Sequence, residues 1–289
     1  MDNALPHQRW LLEVPEAAED ALGDWLGRAG AAATFRSADP PYAFYAYFPP
    51  DLAAPDPAAL AGFPGVRLVR AERFADEDWL AKSREGFGPI QVGRGFHIRP
   101  LWEDGPAPAG RVAIAVNPGL AFGTGGHETT RLCMGLIEDL ADQGALQDPV
   151  LDIGAGTGIL ALAAWLCGAR QVTAFDIDPD CGPAMAGLLE HNARLLQGAR
   201  PFEAFVGTLD DPRVRGPYRT LLANILLETI QDLLPRMADI TAPGGRLVAS
   251  GILGERTDEA LVSLAACGFQ PRRVVREGAW IAILAQRLP

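Results

Sequence analysis

Residues 150–158 read Val150-Leu151-Asp152-Ile153-Gly154-Ala155-Gly156-Thr157-Gly158. Four residues, apolar but for one acid, predict a short strand of the kind buried in a parallel sheet. Three glycines at alternate positions follow at once, and Ile159–Leu166 continues as an apolar helix. A strand, a glycine turn and a helix in that order let a ligand approach the backbone closely and offer it free N–H groups. The position three after Gly156 is Ile159, so the dinucleotide fingerprint Gly-x-Gly-x-x-Gly fails. The Lys and Ser/Thr of a Walker loop are missing too. The plainer alternative is a glycine turn that serves packing alone.

Outward from this stretch, strand and helix alternate. Gln171–Phe175 reads as a strand, residues 179–196 as a helix, and Phe202–Val206, Leu221–Leu226 and Arg246–Ser250 as further strands with helices between. This is the pattern of a doubly wound α/β sheet. The end differs: residues 272–277 and 279–284 are two strands joined at Gly278 with no helix between, so the last strand is expected to run antiparallel. Residues 106–289 form this domain. Residues 1–74 read as a smaller α+β unit in the order β-α-β-β-α-β, that of a ferredoxin-like fold. Its first helix opens at Pro15 and carries Ala18, Ala21, Leu22, Trp25 and Leu26 at helical spacing. Residues 75–105 are read as a linker, with a short charged helix at 76–84 and a strand-like stretch at 95–102.

Composition narrows the class. The 289 residues are 48% hydrophobic and 21% charged, which supplies a core and excludes wholesale disorder. Acids outnumber Lys plus Arg by 36 to 25, for a net charge of −11, which argues against a generic phosphate-backbone binder and suits a basic partner. Lys82 is the single lysine. Cys133, Cys167, Cys181 and Cys267 are widely spaced, so neither a disulfide framework nor a zinc ribbon is expected. No signal peptide or membrane span is visible in the sequence, and the expectation is a cytoplasmic protein.

Three further motifs carry chemistry. Asp176 ends the second strand of the domain, where an acid can accept from both hydroxyls of an adenosyl ribose; Asp178, before Pro179, is expected to cap the next helix. Asn117-Pro118-Gly119-Leu120-Ala121-Phe122-Gly123-Thr124-Gly125-Gly126-His127-Glu128-Thr129-Thr130 is a glycine-rich loop feeding a helix. It could cover a ligand, or be a turn with Thr129 or Thr130 as helix cap. Residue 131 is Arg, so His-Glu-x-x-His fails and a zinc protease is discarded. Asn224 closes an apolar strand at the crevice edge, where its carbonyl could orient an amine; the alternative is a turn-capping Asn.

Gly-x-Gly-x-Gly after a strand is the pattern of S-adenosylmethionine (SAM) methyltransferases. The sequence resembles more particularly the methyltransferases of large-subunit ribosomal protein L11, the PrmA type. The resemblance is carried by Glu77-Asp78-Trp79, Ile98-Arg99-Pro100-Leu101-Trp102, Pro118-Gly119-Leu120-Ala121-Phe122-Gly123-Thr124-Gly125 and Asn224-Ile225-Leu226. It departs at Asn117, Gly126 and Glu128. It implies a Rossmann-like seven-stranded methyltransferase sheet, SAM as cofactor and no metal. The implied SAM contacts are Thr130, Gly154, Asp176 and Asn224, with Asp152 and Gly156 of the glycine motif. Phe122, Gly123, Thr124 and Gly125 would surround the methionine moiety. The implied reaction is methylation of amino groups of a basic ribosomal protein, with Asn224 catalytic, the amino-terminal unit holding the substrate, and the enzyme acting as a monomer without nucleic acid or membrane. Rival readings are methylation of another protein or a small molecule, a non-methylating binder, and a nicotinamide-dependent oxidoreductase.

Overall fold

The computed structural model describes residues 7–15, 18–31, 33–36, 43–49, 52, 54–74, 88–117 and 125–289. The chain divides into two compact units, residues 1–88 and 89–289.

In the first unit, β1 (His7–Glu13), α1 (Glu19–Arg28), β2 (Ala33–Arg36), β3 (Ala43–Phe48), a 3₁₀ helix (Pro57–Gly62) and β4 (Arg67–Phe74) follow in order. The sheet order β2-β3-β1-β4 is antiparallel throughout and is that of a ferredoxin-like fold. Alternation puts Trp10 and Leu12 of β1 and Phe44, Ala46 and Phe48 of β3 on one face, where they bury Leu22 and Leu26 of α1. The second helix of that fold shrinks to one short 3₁₀ piece, capped by Asp56 accepting from Ala58 N. The first helix starts at Glu19 rather than at Pro15, whose carbonyl accepts from Ala18 N.

The second unit opens with a three-stranded sheet, β5 (Ile90–Val92), β6 (Phe96–Pro100) and β7 (Val112–Val116). Residues 90–100 therefore belong to a packed sheet, and the expected linker across 75–105 is too long at its carboxyl end. The cause is Glu138 on α2 (Glu128–Asp142), 6% exposed. Its carboxylate accepts from Arg94 N at 2.8 Å and Gly95 N at 2.6 Å, tying the β5–β6 turn down. A Pro/Gly-rich composition hid this clamp, because the partner lies 44 residues away.

The main sheet comprises β8 (Val150–Ile153), β9 (Val172–Asp176), β10 (Glu203–Val206), β11 (Tyr218–Asn224), β12 (Thr241–Leu253), β13 (Phe269–Glu277) and β14 (Trp280–Arg287). Its order is β10-β9-β8-β11-β12-β14-β13, parallel except that β14 runs antiparallel to β12 and β13. The helices α3 (Ile159–Leu166), α4 (Cys181–His191), α5 (Ala193–Leu196), α6 (Leu227–Asp239) and α7 (Thr257–Ala266) complete it. Alternate strand residues feed two cores: Val150, Leu222 and Val248 pack with α2, α3 and α4, while Leu151, Leu221 and Leu247 pack with α6 and α7. The helix expected across 179–196 is broken at Asn192. That buried side chain accepts from Ala115 N at 2.9 Å and donates to Ala115 O at 2.8 Å, so its amide pairs with β7 as a strand would. Among the described residues no helix is long and apolar enough to cross a membrane.

Candidate active site

The strand order reverses between β8 and β11, which opens a crevice at their carboxyl ends, where such sheets place ligands. Register sets Leu222 of β11 beside Asp152 of β8 and Ala223 beside Ile153. Asn224 thus stands at the lip, next to the glycine turn that leaves β8.

That turn is built from both sides. Gly154 has φ +67°, a conformation that L side chains rarely adopt. A Cβ there would overlap Ile225 Cγ2, so the glycine serves the approach of the β11 end before any ligand is present. Gly251 does the same from β12: a Cβ would overlap the Ile225 carbonyl, and Ile225 N donates to Ser250 O at 3.2 Å. Gly156 N donates to Asp176 Oδ2 at 2.8 Å, so the acid after the second strand also props the glycine turn. Asp176 Oδ1 accepts from Asp178 N at 3.0 Å. Asp178 does not cap the helix: it accepts from Asp180 N in a turn of its own, and α4 starts at Cys181 without a side-chain cap.

Asp152 is 1% exposed. Oδ2 accepts from Ala161 N at 3.0 Å, and Oδ1 is buried with no partner. Burial, with the Asp176 charge adding to it, raises its pKa to about 7 against the pull of the Ala161 bond. Burial, with the Asp152 charge adding to it, pushes the Cys133 thiol on α2 up. Asn224 repeats the pattern: Nδ2 donates to Thr130 Oγ1 at 3.4 Å, and Oδ1 is buried with no partner. Two acceptors without donors, at adjacent strand ends, are costly unless a donor arrives, since an unsatisfied buried group costs about 1–3 kcal/mol. The turn-capping alternative for Asn224 is not what the side chain does.

Helix α2 carries Thr130 into the site, and its cap differs from expectation. His127 is the N-cap, its Nδ1 accepting from Thr129 N at 3.3 Å, while Thr129 and Thr130 are buried in the first turn. The His127 ring also meets Trp280 edge-on, centroids 5.1 Å apart. Gly125 is buried, and a Cβ there would overlap Ile98 Cδ1 of β6. Phe122, Gly123 and Thr124 lie outside the described residues, as do Glu77-Asp78-Trp79 and Pro118–Ala121 of the family stretches. Two side chains at the crevice escaped the sequence reading. Ile177, next to Asp176, is 72% exposed, and Leu226, two residues after Asn224, is 64% exposed. Their signal was an apolar residue one or two positions beyond a polar strand end.

A seven-stranded sheet with one antiparallel strand, a glycine turn after β8, an acid ending β9 and an amide ending β11 define a Rossmann-like methyltransferase fold. Residues 59–288 match the family model described as ribosomal protein L11 methyltransferase (PrmA). The chain is 39% identical over 240 residues to the ribosomal protein L11 methyltransferase of Trichlorobacter lovleyi, covering 80% of this chain and 75% of that one. It is 38% identical over 231 residues to that of Pelobacter propionicus, covering 78% and 72%. The crystal structure of a ribosomal protein L11 methylase from Lactobacillus delbrueckii subsp. bulgaricus superposes with a TM-score of 0.59 at 33% identity, covering 70% of this chain and all of that one. The chain belongs to the ribosomal protein L11 methyltransferase family.

Proposed function

We propose that this protein transfers methyl groups from SAM to amino groups of ribosomal protein L11, lysine side chains and the α-amine being the candidate acceptors. Beside family membership, one observation carries the reading: two buried acceptors lacking donors, Asp152 Oδ1 and Asn224 Oδ1, stand on the neighbouring strands β8 and β11 at the switch point of the sheet. A cofactor with an α-ammonium and an amine substrate both bring donors, and a nicotinamide dinucleotide lacks the glycine spacing it needs.

SAM, when bound, would supply an electrophilic methyl group on its sulfonium to an amine nitrogen, with the neutral thioether as leaving group. The protein's share is to bind, orient and exclude water. Asp176 is suited to ribose hydroxyls, each of its oxygens keeping a lone pair beyond the bonds to Gly156 N and Asp178 N. Ile177 offers an exposed apolar surface beside it for a purine. Gly154 and Gly156 bring the backbone close, Asp152 and Thr130 complete the pocket wall, and residues 122–125 are assigned to the methionine end. Free lysine has a pKa of about 10.4, so the amine must be delivered neutral. Asn224 accepts from that amine without a charge that would hold it as ammonium, which a carboxylate would do. The first unit is assigned to substrate recognition. The net charge of −11 favours encounter with a basic protein over nucleic acid. The enzyme is read as a cytoplasmic monomer. Incubation with labelled SAM and a cell extract containing unmethylated L11, followed by peptide mass spectrometry, tests the reading. Label on L11 amines supports it, and label confined to other proteins of a cell extract refutes it.

A further inference from the structure

We propose that Leu226 is a specificity-determining residue that packs against the methylene stem of an acceptor lysine while Asn224 takes the amine at its tip. This rests on the reading of Asn224 as the amine's acceptor. Leu226 breaks two local rules at once. It is the N-cap of α6, where Ser, Thr, Asp or Asn would accept from a free helix N–H, and its side chain makes no cap bond. It is also 64% exposed; among the described residues, Ile177 and Val262 are the only large apolar side chains more exposed. A polar residue would serve both the helix end and the surface better. The helix takes its capping from elsewhere: the Glu228 carboxylate accepts from its own backbone N–H and pairs with Arg256, which together hold it below the usual carboxylate range. The chain cannot turn Leu226 inward either. Ile225 N extends the ladder by donating to Ser250 O at 3.2 Å, and the Ile225 side chain packs on the core beneath α6 and α7, closed in by Gly154 and Gly251. Alternation then returns Leu226 to the side of the sheet on which Asn224 stands. The Leu226 carbonyl is held by Ile230 N at 3.0 Å. A fixed apolar surface thus stands two residues from a buried amide oxygen that lacks a donor. A lysine side chain matches both parts, with a four-carbon stem that gains by leaving water and an amine at its end. An α-amine has no such stem, so Leu226 favours lysine side chains over the α-amine.

For the full chain and for Leu226→Ala, Leu226→Met and Leu226→Asn, kcat/KM for L11, SAM affinity by calorimetry and the unfolding temperature are measured. Leu226→Ala is expected to lower kcat/KM roughly 4- to 15-fold, the size of one or two methylene groups left in water, with SAM affinity held within about twofold. Leu226→Met keeps an apolar surface and restores most of the rate. Leu226→Asn supplies the missing cap, so it should unfold no lower than wild type while its kcat/KM falls as in Leu226→Ala. A general contact with the surface of L11 would give the same losses in rate. The acceptor lysines found by peptide mass spectrometry are therefore exchanged for alanine in L11, and the affinity of both L11 forms is measured for wild type and Leu226→Ala. The proposal requires Leu226→Ala to weaken the binding of intact L11 and to leave that of the exchanged L11 unchanged. Equal weakening of both overturns it. So do a wild-type kcat/KM in Leu226→Ala or Leu226→Asn, a loss of rate that tracks a fall in unfolding temperature, and label confined to an α-amine. No label on L11 from the wild-type chain, or a wild-type rate in Asn224→Ala, would instead strike the underlying reading, a separate and recognisable failure.

Discussion

Gly154 and Ile225 leave no room for a β-carbon between them: one placed on Gly154 would overlap Ile225 Cγ2. The turn that leaves the first strand of the sheet and the segment that follows Asn224 are therefore one packed piece. Gly154→Ala is expected to cost roughly 1–3 kcal/mol, from positive φ and the overlap together. Ile225→Ala in the same chain should recover the overlap share but not the φ share. Thermal unfolding of the single and double variants measures this. A Gly154→Ala variant as stable as wild type would show that the turn tolerates a side chain.

Asp176 has two duties that substitution can separate. Asp176→Asn keeps an oxygen for Gly156 N but loses the charge, so the fold should hold while SAM binding weakens. Asp176→Ala removes both, and a charge-assisted bond of about 1.5–3 kcal/mol translates into a roughly 10- to 150-fold loss of SAM affinity. Calorimetry with folded variants decides; unchanged affinity in Asp176→Ala would remove the residue from the cofactor site.

The buried Asp152 makes stability depend on pH. Its folded pKa, raised to about 7, exceeds the ordinary carboxylate value, so between about pH 4 and 7 the folded state holds a proton that the unfolded chain has released. Stability therefore falls as pH rises through that window. Asp152→Asn keeps an acceptor for Ala161 N and removes the charge. It should unfold at a higher temperature than wild type at pH 8, by a margin that shrinks toward pH 5, while binding SAM more weakly. A margin independent of pH would contradict this account.

The Glu138 clamp fixes where the second unit begins. A chain starting at Pro89 keeps β5 and β6 and should fold and bind SAM. One starting at Glu103 leaves the Glu138 carboxylate without its two backbone donors. At about 1.5–3 kcal/mol each, their loss should lower the unfolding temperature by at least roughly 6 °C. Equal melting of the two chains would show that the clamp contributes nothing.

What the sequence disclosed follows the range of the interactions. The glycine turn, the acid after the second strand and the hairpin at Gly278 are local patterns, and each stands where its pattern places it. The bond from Asp176 to Gly156 N spans 20 residues, the Glu138 clamp 44, and the pairing of Asn192 with Ala115 77. No periodicity encodes those. The same limit explains the caps. Ser/Thr preference pointed to Thr129 or Thr130, but the cap falls two residues before Thr129, with His127 taking the bond. Gly154 was legible as a glycine, but the reason for it, the side chain of Ile225, was not.

The most direct test of the central claim compares L11 with free amines and L11 whose lysine side chains and α-amine have been chemically acylated, each incubated with this protein and methyl-labelled SAM. The account predicts label in the first, localised by peptide mass spectrometry to amine nitrogens, and none in the second. Equal label in both, or none in either from a protein that binds SAM, would contradict it.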